Sequence, residues 1–113
     1  MEFITKYDNI INGGRKMALV KNNITETIAT SHNLLMNCVN NETFVGIHQH
    51  GKDSIVRTTA IISDFSLKIN ELYLNGEQIE ILINKDIIDI QYIKEENSIY
   101  ILFEDREIYL DLC

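Results

Sequence analysis

The sequence predicts a mainly β protein: a small antiparallel β-barrel or two-layer β-sandwich built from hairpins, with at most one short helix. Three observations carry this expectation. In the second half of the chain, apolar residues recur at every second position, the period of a strand with one buried face. Turn-forming pairs and polar clusters, Asn75-Gly76 foremost, separate those segments. The 113 residues include no proline, which suits continuous sheet, where a missing N–H breaks the ladder.

Taken in order, the second half is the clearer. Ile79, Ile81 and Ile83 alternate with Gln78 and Glu80. Leu72-Tyr73-Leu74 precede Asn75-Gly76, a pair suited to the two positive-φ positions of a type I′ hairpin turn. Ile88, Ile90 and Tyr92 follow, then a polar turn over Lys94–Asn97, then Ile99, Ile101 and Phe103, and finally Ile108, Leu110 and Leu112. These segments are short and rich in β-branched residues, so residues 72–112 read as a meander of about four antiparallel strands.

The first half carries mixed signals. Phe3–Ile11 and Met17–Val20 flank Asn12-Gly13-Gly14, a second hairpin signal. Ile24–Thr30 alternates and is Thr-rich, which favours strand. Ser31–Val39 is open between a short helix, with Ser31 as N-cap, and continued strand. Thr43–His50 and Ser54–Ile62 bracket Gly51-Lys52-Asp53, a third hairpin. Apolar or Thr residues on both faces of Ile55–Ile62 predict a central strand buried on both sides. Phe65, Leu67 and Ile69 alternate in turn. The sum is eight to ten strands in one domain spanning residues 1–113. Ile on both faces of several strands, together with exposed sheet edges, predicts a homo-oligomer.

Composition narrows the function classes. No apolar run reaches the roughly 18–20 residues of a membrane span, and no basic head with an apolar block marks a secretory signal at the N-terminus. A cytoplasmic protein is expected, with Cys38 and Cys113 as reduced thiols. The net charge of −7 argues against direct nucleic-acid binding, which needs clustered Lys and Arg. Residues 57–113 hold five basic and twelve acidic residues, so the whole excess lies there. An acidic decoy for a nucleic-acid-binding protein is one reading of that half, a solvated polar face the plainer one. Ile at about a sixth of the residues and Asn at about a tenth stand above ordinary usage. Their A/T-rich codons suggest a low-GC bacterium or its phage.

Three groups of residues could carry chemistry. His48 and His50, at i and i+2 on a strand, project from one face and could share a metal. A metal-dependent enzyme is the alternative they support, but no further ligand is marked by spacing. Asn12-Gly13-Gly14-Arg15-Lys16 offers amides and two cations to an anion, without the spacing of a P-loop. Arg57, in the strand expected to be most buried, needs an anion from the protein or from a ligand. With Thr59 and the two histidines it would form a polar pocket for phosphate. No nucleophile stands in a recognisable elbow, and no carboxylate in an apolar setting suited to acid–base work.

The expectation is therefore a non-enzymatic binding protein, without cofactor or metal. It would be a β-rich homo-oligomer holding a small anionic, nucleotide-like ligand or a partner protein. The ligand residues expected are Arg15, Lys16, His48, His50, Arg57 and Thr59. A phage or mobile-element accessory that sequesters a signal or inhibits a host system is the biological form this takes.

Overall fold

In a computed structural model, residues 16–112 are described, with side chains from Ile24 onward. The first element is a helix, α1, over Lys16–Asn41, of 26 residues. Among its described side chains the buried ones are Ile24, Ser31, Leu35 and Cys38, with Ile28, Leu34 and Val39 packed beside them. Ile24, Ile28, Ser31, Leu35 and Cys38 follow one another at steps of four and three, the stripe of an amphipathic helix. The strand expected at Ile24–Thr30 is thus helical, and so is Met17–Val20; the single helix is real but long. Thr25, Thr27 and two isoleucines favour strand locally, but burial of the stripe against the sheet outweighs a propensity difference of a few tenths of a kcal/mol per residue. The expected Asn12-Gly13-Gly14 hairpin lies largely outside the described residues.

The helix stops at a left-handed residue. Glu42 has φ 54°. Its N–H donates to the Val39 carbonyl at 3.2 Å, and that of Thr43 to the Cys38 carbonyl at 3.0 Å. This pair of bonds is the Schellman ending, which satisfies two of the last free carbonyls. Glycine usually holds the left-handed position; here a glutamate does.

Seven strands follow: β1 Phe44–His50, β2 Ile55–Lys68, β3 Glu71–Gly76, β4 Ile79–Ile83, β5 Asp89–Ile93, β6 Ser98–Leu102 and β7 Glu107–Leu112. They form one antiparallel sheet in the order β4-β3-β2-β1-β7-β6-β5. The fold is mainly β, as expected, with seven strands among the described residues rather than eight to ten. Residues 71–112 hold five strands and not one meander, because the chain passes from the edge strand β4 to the opposite edge strand β5.

That passage dictates the shape of the sheet. Flat, seven strands about 4.8 Å apart would set the two edges some 29 Å from each other. The chain between Ile83 and Asp89 reaches at most about 20 Å. The sheet therefore curls, part of the way to a barrel and without pairing β4 to β5. The Ile87 N–H donating to the Ile69 carbonyl at 2.8 Å ties the β2–β3 turn to the segment before β5. α1 lies in the curl, against β5, β2 and β7. Between helix and sheet sit Val45, Ile47, Ile90, Ile99, Ile101, Ile108 and Leu110, all almost fully buried.

β2 is two half-strands. Ile55–Ile61 pairs only with β1, and Ile62–Lys68 only with β3. A register shift between Ile62 and Asp64 inserts Ser63 and reverses the alternation. Up to Ile62, even-numbered residues face α1; beyond it, Phe65 and Leu67 do. The hairpin expected at Gly51-Lys52-Asp53 is present, closed by the Gly51 N–H on the Ser54 carbonyl at 2.8 Å. The one expected at Asn75-Gly76 is shifted. Gly76 pairs with Ile79, leaving Glu77-Gln78 as the turn, and neither turn residue has a positive φ. Gly76 serves a different purpose: a Cβ there would stand 2.5 Å from the Ile61 carbonyl oxygen. Only a glycine lets β3 approach β2 that closely beside the bulge.

Candidate functional site

The face of the sheet turned away from α1 collects the polar chemistry. Register decides this. His48 lies opposite Arg57, Gly46 opposite Thr59, and His50 opposite Ile55. On the other flank His48 is opposite Tyr109, His50 opposite Glu107 and Gly46 opposite Asp111. Four of the residues expected to bind a ligand, His48, His50, Arg57 and Thr59, therefore share one face. Arg15 lies outside the described residues. Lys16 opens α1, and its side chain is among those not described.

The expected burial of Arg57 is overturned. Residues 55–57 are exposed, Ile55 at 58% and Val56 at 52%. This half of β2 has no β3 beside it and so behaves as an edge, although β2 as a whole is central. Among the described residues no carboxylate lies within salt-bridge distance of Arg57. His48 is engaged: its Nε2 stands 2.9 Å from Asp111 Oδ2. The His50 ring packs against Tyr109 with centroids 5.1 Å apart.

Beyond the histidines lies a buried network that the sequence reading did not find. Glu107 is fully buried and accepts hydrogen bonds from Tyr100 Oη at 2.6 Å and Tyr109 Oη at 3.1 Å. The two phenol rings are 5.0 Å apart. Burial first, and then the Glu107 carboxylate, push the Tyr100 phenol far above its ordinary value. The same two causes raise Tyr109. Both hydroxyls stay protonated donors throughout the physiological range. Asp89, also fully buried, accepts from Gln91 Nε2 at 3.2 and 3.3 Å, and burial raises its pKa. The signal for this cluster was parity. With Ile99, Ile101, Ile108 and Leu110 facing one way, Tyr100, Glu107 and Tyr109 face the other.

The arrangement is poor in catalytic options. Ser98 Oγ donates to Asp111 Oδ1 at 2.5 Å, while His48 holds Oδ2 of the same carboxylate. The acid stands between serine and histidine, so the imidazole cannot take the hydroxyl proton as it does when histidine is the middle member. Among the described residues, no three of His, Cys, Asp and Glu gather in a group that could hold a metal ion. At the edge of the first half of β2, beside the β3–β4 turn, lies a shallow groove lined by Phe44, Thr59, Ala60, Ile61, Glu77 and Gln78. Along it Phe44 is 55% and Ile61 38% exposed, paired across β1 and β2. Comparison with known family models, curated proteins and solved structures finds no match.

Proposed function

We propose that this protein acts without catalysis of its own, as a binding module that docks a protein partner on the outer face of the β1–β2 hairpin. One observation carries the reading. Phe44, Ile55 and Ile61 are large apolar side chains left exposed on that face, with Arg57 between them. Large apolar side chains exposed beside an arginine suit a protein-contact site, where aromatic and Arg anchors are enriched. The small-anion form of the reading is less well supported. His48 is committed to Asp111, so Arg57 is the one cation without an ion-pair partner on this face among the described residues. A single arginine is a thin site for a phosphate, which is usually held by several donors.

The test is affinity capture from extract of the source cell, with the wild-type protein and a Phe44→Ser/Ile61→Ser variant immobilised in parallel. A protein retained by the first and lost by the second is the expected result. Equal retention by both would refute the assigned face. A nucleotide that raises the melting temperature of wild type, and not of Arg57→Ala, would replace this reading with the anionic-ligand one.

A further inference from the structure

We propose that the partner docked by the β1–β2 face is a second copy of this chain, related by a two-fold axis; the inference rests on the protein-docking reading above. Arg57 stands toward one end, Thr59 in the middle, the Phe44–Ile61 pair beyond it, and Glu77 beside that pair on the groove wall. Arg57 and Glu77 are both exposed, and among the described residues neither has an ion-pair partner. A two-fold interface reads a surface against itself reversed, so that residue i meets j and j meets i. A strip with an unpaired cation at one end, an unpaired carboxylate at the other and apolar side chains between matches its own reverse. Arg57 of each copy meets Glu77 of the other, and Ile61 packs near the axis.

The strip also sets the strength. From Ile55 to Ile61 it is about 20 Å long and two strands, about 10 Å, wide. That is well under the roughly 800 Å² each partner buries in a stable complex. The dimer is therefore weak and forms only at high protein concentration. Each copy carries −7, a repulsion that 0.15 M salt screens beyond about 8 Å.

Sedimentation velocity in 0.15 M salt, over about 1–300 µM, tests this. The expected result for wild type is a mean mass rising from 13.1 kDa toward twice that value. Arg57→Glu and Glu77→Arg should each weaken association at least about fivefold. The double reversal, which restores opposite charges across the axis, should recover most of the loss. Ile61→Asp should abolish the rise. All the charge changes are at exposed positions, and circular dichroism confirms that each variant is folded. A wild type that stays monomeric throughout overturns the inference. If the extract then still yields a protein lost in Phe44→Ser/Ile61→Ser, the docking reading stands with a foreign partner; if not, both fall. A dimer indifferent to Ile61→Asp and to both reversals overturns the assignment to this face.

Discussion

Replacing Gly76 by alanine tests the account of the β2 bulge. The added Cβ would stand 2.5 Å from the Ile61 carbonyl oxygen and 3.0 Å from Ile79 Cγ2. An ordinary carbon–oxygen contact is about 0.7 Å longer, and the obstacle is backbone, which cannot swing aside. β3 must therefore move away from β2 at the register shift that holds the two half-strands together. Overpacking of this kind costs about 1–3 kcal/mol, while the stiffer unfolded chain returns about 0.4–1. The net loss is about 1–2 kcal/mol, or a fall in melting temperature of about 4–12 °C for a domain of this size. Urea unfolding followed by far-ultraviolet circular dichroism reads it directly. Gly76→Asn separates the two roles a glycine can have. At a positive-φ turn asparagine is well tolerated, whereas at a close approach its Cβ meets the same carbonyl. We expect Asn to cost at least as much as Ala. A neutral Gly76→Asn would refute the close-approach explanation and return Gly76 to the turn.

Three further changes probe the scaffold and the buried face. Ser31 Oγ is buried and has no hydrogen-bond partner among the described residues, so Ser31→Ala removes a desolvated hydroxyl and adds helix propensity; thermal unfolding should show a gain of about 1 kcal/mol. Glu42→Gly relieves a left-handed conformation that costs a side chain about 1 kcal/mol, and should stabilise by up to that amount in the same assay. Asp89 has a raised pKa in the folded state, so the unfolded chain loses its proton first and stability falls as pH rises above the ordinary value of 3.8. In Asp89→Asn that dependence disappears: urea midpoints of variant and wild type should match near pH 3 and diverge, with the variant higher, toward pH 7. A gap already present at pH 3 would assign the effect to packing and not to charge.

The strand half of the fold was legible because each strand has one buried face. Ile99, Ile101, Ile108 and Leu110 all point toward α1 as their alternation required. The helix was only partly legible: Ser31–Val39 was open between helix and strand, and the turns before it were hidden because Ser31 is a polar residue at a buried position of the stripe and Thr25 and Thr27 imitate a strand. The site was half legible. Alternation put His48 with His50, and Arg57 with Thr59. That the two pairs share a face depends on register, which the four-residue Gly51–Ser54 loop sets by closing His50 onto Ile55. The exposure of Arg57 was hidden for a topological reason. Apolar residues on both faces describe a strand covered twice, but they equally describe half of a long strand whose neighbour begins only beyond a bulge. Asp111 as the partner of His48 lies on a strand 60-odd residues away in the chain, a distance at which pattern is silent.

The placing of β7 between β1 and β6 has a consequence for how the protein is made. β1 through β4 can assemble as each strand leaves the ribosome, and β5 with β6 as a separate hairpin. β7 is the seam between them: its register sets Leu112 against Val45 and Asp111 against Ser98. Roughly 60 residues separate β1 from β7, which at ~5–20 residues per second is about 3–12 s of synthesis. For that interval the free side of β1, with Val45 and Ile47, is an open template for any other strand in reach. The nascent chain is thus open to mispairing until β7 has been made, and a slowed passage through residues 103–112 would lower the yield of folded protein without altering its final stability.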